Sequence, residues 1–162
     1  MKSNNTSRGK SKKYRKTDFK DDDYFEIQTK AEDSVITDQD LVGSVYCIND
    51  DFWKFQYSGR EDHPGACLYV KEKLNKAILV HGTDSNSYIA QIYHNISYII
   101  EPDSLNGLTK TTAFILKSHY IRCRKLALYH INRKIGCLAD KDVIAMRDHI
   151  VQDHPDPWED DS

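Results

Sequence analysis

The stretch from Gly43 to Thr83 leaves this chain few folds to choose from. It holds three short β-prone runs: one built on Val45, Cys47 and Ile48, then Ala66-Cys67-Leu68-Tyr69-Val70, then Ala77-Ile78-Leu79-Val80. The last two are nearly continuous apolar runs, the pattern of strands covered on both faces. Asn49-Asp50-Asp51 stops the first, a polar-aromatic loop follows to Pro64, and the charged connection Lys71 to Lys76 joins the other two. Strand-like runs recur at Tyr88–Ile92, Ile96–Ile100, Thr112–Leu116 and Tyr120–Leu126. Short strands at regular spacing, divided by turn residues, predict a mainly β chain closing into a small barrel. The last element differs. Asp140 is placed to cap a helix reaching about Gln152, with Val143, Met146 and Ile150 at core spacing and Val151 widening the stripe.

A chain of 162 residues holds one domain with a modest core. Charge divides it further. The head is rich in Lys and Arg and poor in apolar residues, whereas Asp153, Asp156, Glu159, Asp160 and Asp161 close the chain, so a net charge of -2 conceals a basic head and an acidic tail. The expected organisation is a disordered basic arm and linker over 1–40, a barrel with its helix over 41–152, and a disordered acidic tail over 153–162. The arm reads either as a loose contact to nucleic-acid phosphates or as a solubilising tail. Cys47, Cys67, Cys123 and Cys137 show neither CxxC nor zinc-knuckle spacing, which predicts buried free thiols in a reducing compartment. With no apolar leader and no long apolar run, a soluble, cytoplasmic protein without membrane contact is expected.

The loop after the first strand carries Phe52, Trp53, Phe55 and Tyr57, then Arg60 and His63-Pro64. Large aromatics in a long loop either stack on unpaired bases or fold back as a lid on one end of the core. The first reading suits Trp53, the second Phe52 and Phe55. His81 lies within an apolar run and reads as a semi-buried structural histidine. His94, His130, His149 and His154 lack ligand spacing, so neither a metal nor a cofactor is expected.

Several pieces, in order, resemble the PemK/MazF family, the toxin half of bacterial toxin–antitoxin pairs. They are Gly43-x-Val45, the loop closed by His63-Pro64, Val80-His81-Gly82-Thr83, Gly107-Leu108-Thr109-Lys110, Thr112-Ala113-Phe114 leading to Lys117-Ser118-His119-Tyr120-Ile121, and Arg133-Lys134-Ile135-Gly136-Cys137-Leu138. The resemblance implies an SH3-like barrel, a homodimer silenced by a cognate antitoxin, that cuts single-stranded RNA without a metal. The ribose 2′-OH attacks the adjacent phosphorus, leaving a 2′,3′-cyclic phosphate and a 5′-OH. Such chemistry needs a base, an acid and donors for the phosphorane. Carried onto this chain, it makes His63, Thr83 and His119 the catalytic candidates and Arg60, Arg122 and Trp53 the RNA-binding candidates. The family's arginine before proline is here His63, and its acidic-Gln-x-Arg stretch is here Lys117-Ser118-His119-Tyr120-Ile121-Arg122, without the carboxylate. Those departures sustain an alternative: a non-catalytic SH3-like barrel that binds RNA or protein. On that alternative His63 packs on Pro64, and Thr83 is a turn hydroxyl making a local backbone bond.

Overall fold

A computed structural model describes residues 36–53, 62–152 and 156–157. The basic arm to residue 35, and Phe55, Tyr57 and Arg60, lie outside the described residues. In chain order come α1 (Asp38–Leu41), β1 (Ser44–Asn49), β2 (Asp62–Lys71), β3 (Lys76–Asp84), α2 (Tyr88–Ile92), β4 (Ser97–Ile100), β5 (Thr112–Arg122), α3 (Cys123–Asn132), β6 (Lys134–Cys137) and α4 (Asp140–Arg147). The strands form one antiparallel sheet in the order β4-β5-β3-β2-β1-β6, curled as a half-barrel. The mainly β expectation stands in this coarser form.

Alternation along the central strands gives the sheet two buried faces. Tyr46, Ile48, Cys67, Ala77, Leu79 and Ile121 join α3 residues Leu126, Ala127 and Leu128 in one cluster. Val45, Ala66, Leu68, Val80, Phe114 and Leu116 join α4 residues Val143 and Met146 in the other. Successive side chains of a strand point to opposite faces, so a strand buried on both sides must read as a continuous apolar run. That is why β2 and β3 were legible. β1 buries Tyr46 and Ile48 on one face and Val45 on the other, while Cys47 stays half-buried.

Four expectations change. Tyr88–Ile92 is helical, because the Ser87 side chain accepts the Ala90 N–H and caps a turn. The run Tyr120–Leu126 is not one strand: β5 continues unbroken from Thr112 to Arg122, and the chain turns into α3 at Cys123. The last helix starts from an Ala139 cap rather than Asp140 and stops at Arg147, with Ile150 still packed on the core and Val151 exposed. Of the cysteines, all free, Cys67 and Cys123 are buried as expected, but Cys137 is exposed. The described chain also reaches back to Ile36, which is buried, and a Thr37 capping box opens α1 ahead of residue 41. No helix among the described residues is long and apolar enough to cross a membrane.

Candidate functional site: a carboxylate–imidazole pair beside buried histidines

Pairing of β1 with β2 sets Asn49 opposite Asp62 and Ile48 opposite His63. Asn49 then caps a 3-10 turn, Asp50–Phe52, by accepting the Asp51 N–H at 2.8 Å. That turn carries Asp50 back over β2, where its Oδ1 lies 2.5 Å from His63 Nδ1. A carboxylate accepts, so Nδ1 carries the proton and a neutral His63 ring keeps its lone pair on Nε2. The side chains of His63 and Asp50 are 15% and 9% exposed. The pair is therefore largely buried, with the imidazole the more open partner.

Under it lies an aromatic stack. The His63 ring is 5.1 Å from His81, His81 is 4.8 Å from Trp53, and Trp53 is 5.0 Å from His119. Phe52 meets the Trp53 ring edge-on at 4.9 Å. Gly65 makes the close packing attainable, since a Cβ there would come within 2.8 Å of two Trp53 ring carbons. Burial holds His81 neutral, pushing its pKa down to about 2, with the charges of His63 and His119 adding to the effect.

The candidates therefore separate. His63, Trp53 and His119 come together, but Trp53 is 5% and His119 4% exposed. Trp53 is the lid and not a surface platform for bases. His119 lies beneath it, away from any leaving oxygen outside. Thr83 shares a face of β3 with His81 by strand alternation. Its neighbour Gly82 packs against Pro64, next to His63. The Thr83 hydroxyl is buried and donates to Ser87 Oγ at 3.0 Å, a local bond to a side chain rather than to backbone. Arg122 is not at the site. It pairs with Lys76 at the opposite end of β3 from Thr83, about 23 Å away at ~3.3 Å per residue. There its guanidinium donates to the Leu74 carbonyl at 3.3 Å.

Sequence reasoning missed Asp50, taken there as a strand stop. The pairing register alone does not give it: Ile48 stands opposite His63, and it is the turn after Asn49 that brings Asp50 back to the imidazole. It also missed that His81 is a member of the same stack. Among the described residues no group of three or more His, Cys, Asp or Glu is placed to hold a metal ion. Comparison with known families, curated proteins and solved structures finds no match to this chain.

Proposed function

We propose that the chain is a metal-independent endoribonuclease of the PemK/MazF toxin type, built on an SH3-like barrel, in which one imidazole carries the proton transfer. The Asp50–His63 hydrogen bond is the observation that carries this reading. It supplies, from the opposite end of the sequence motif, the carboxylate that the late strand lacks. Asp50 holds the His63 ring by accepting its Nδ1 proton. Nε2 takes the proton of the ribose 2′-OH as that oxygen attacks phosphorus. The 5′-oxygen leaves with a proton returned by the imidazolium, giving a 2′,3′-cyclic phosphate and a 5′-OH. Arg60 remains a phosphate-binding candidate, Thr83 moves from the catalytic set to join it, and His119 and Trp53 become supports of the stack beneath His63. Single-stranded RNA as substrate, a cognate antitoxin, a homodimer and a cytoplasmic setting belong to the same proposal.

The burial of Trp53 and His119 and the remote position of Arg122 favour the second reading, a barrel that binds RNA or protein without cutting it. Purified protein incubated with varied single-stranded RNAs and EDTA, with 5′-OH ends mapped, separates the two. Cleavage should fall on the order of 10²-fold in His63→Ala and clearly in Asp50→Asn. Retarded RNA without new 5′-OH ends in the wild type would select the binding module and end the enzyme reading.

A further inference from the structure

On the sheet face away from the histidines, β2, β3 and β5 meet the segment that follows α4 around a cleft of about 520 Å³. That segment is strapped to the edge of β5. The Ser118 N–H donates to the Val151 carbonyl at 2.9 Å, and the Val151 N–H donates to the Leu116 carbonyl at 2.8 Å. The strap takes over where β4, paired with residues 112–115, stops. Further on, Asp156 sets its carboxylate against Lys76 Nζ.

Lys76 is 5% exposed, although it stands in a strand. A buried ammonium requires a counter-charge, and here it comes from the acidic tail rather than from a neighbouring strand. Ser118 lines the same cleft. It is 3% exposed, and its hydroxyl has no hydrogen-bond partner among the described residues. Buried hydroxyls are as a rule satisfied, so this one marks a place for an incoming polar atom. Lys71 adds a second ammonium at the exposed rim, and the rings of Tyr69 and Tyr120 form part of the wall. The volume falls in the range of roughly 300–1,000 Å³ typical of small-ligand sites. One carboxylate of Asp156 does not need such a space.

We propose that this cleft binds a phosphate-bearing ligand of mononucleotide size, and that Asp156 is a built-in plug which the ligand displaces. The phosphate takes over Lys76 from the Asp156 carboxylate, accepts the Ser118 hydroxyl and draws on Lys71. The tyrosine rings flank the rest of the ligand. Displacing Asp156 loosens the tail beyond the Val151 bridge, so occupancy of the cleft is reported at the edge of β5. The site shares no residue with the Asp50–His63 pair, and either proposal stands if the other fails.

Calorimetric titration of the full chain tests it with inorganic phosphate, uridine 5′-monophosphate, uridine, and a short RNA with and without a 5′-phosphate. The monophosphate should bind and uridine should not. Asp156→Asn, which removes the competing carboxylate, should tighten the monophosphate about tenfold, because a plugged site lowers apparent affinity by its open fraction. Lys76→Met should abolish binding. Lys71→Met, at an exposed position that leaves folding intact, should weaken it several-fold and serves if the Lys76 variant does not fold. Binding confined to the 5′-phosphorylated RNA would assign the phosphate to an RNA end and support the same chemistry. Equal binding of uridine and its monophosphate, no binding by any probe, or an unchanged affinity in Asp156→Asn would overturn it.

Discussion

His81 is held neutral where it sits. The rings of Trp53 and His63 lie against it, and burial is the largest cause of its low pKa of about 2. An unfolded chain binds that proton with a pKa of about 6.5. Below that value the unfolded state is therefore favoured, and stability contributed by neutral His81 is lost steadily as pH falls toward the folded value, at ~1.4 kcal/mol per pH unit. His130, whose Nδ1 lies 2.9 Å from the Tyr46 hydroxyl and whose pKa burial also lowers, loads part of the same window. The comparison is thus between variant and wild type. Urea denaturation at pH 6 and pH 5 should show His81→Leu losing less stability over the step than the wild type, by about 1 kcal/mol. Parallel losses would mean that His81 finds a proton-compatible setting in the folded chain.

At the level of elements, two of the pieces that carried the family resemblance meet through their glycines. Gly107 has φ +72°, and a Cβ there would lie 2.0 Å from the Ile135 carbonyl oxygen. A Cβ at Gly136 would lie 2.4 Å from the Leu105 carbonyl oxygen and 2.3 Å from the Asn106 carbonyl carbon. Backbone, unlike a flexible side chain, cannot step aside. Gly136→Ala must then separate β6 from the 101–111 loop or bend both, and should cost more than about 2 kcal/mol by overpacking alone. A thermal melt or urea midpoint checks this, and a near-neutral result would show that the loop is free to shift. The Asn106 side chain fixes the loop on its other side, accepting from the Leu108 N–H at 3.0 Å and donating to the Glu101 carbonyl at 2.9 Å. The elements that could be read in advance were those whose side-chain period decides the matter. β2 and β3 are buried on both faces, so apolar content alone marked them. Tyr88–Ile92 alternates as a strand would, yet Ser87 at its cap was the stronger signal. Past Arg122 the apolar spacing changes to Cys123, Leu126 and Ala127, a helical interval hidden by Ile121 and Cys123 standing two apart. In the site, His63 could be singled out by its place beside Pro64. Asp50 could not be found without the hairpin register, and the burial of Trp53 and His119 depends on contacts between β1, β3 and β5 that no local pattern encodes.

Taken whole, the molecule is a sheet with a different apolar cluster on each face, and its centre and its edge should differ in stability. β3 and β5 pair along most of their length and separate the two apolar clusters. The far edge of β5 is shared between β4 and the strap at Val151. Phe114 stands in the stretch of β5 flanked by both β3 and β4, and its side chain is fully buried. Ser118, a few residues on, gives its amide to Val151, whose own side chain is exposed and whose apolar neighbour Ile150 is only partly buried. Local openings draw on such weakly packed segments, while amides of a packed centre exchange only with global unfolding. Hydrogen exchange should therefore release the Ser118 amide well before that of Phe114, and the gap should narrow as denaturant raises the share of global unfolding. Asp156→Asn should quicken Ser118 without touching Phe114, because the Lys76 pair ties Asp156 to β3 beyond the Val151 bridge. If Ser118 and Phe114 exchange together in the wild type, the strap belongs to the cooperative core, and displacing Asp156 could not be felt at the edge of the sheet.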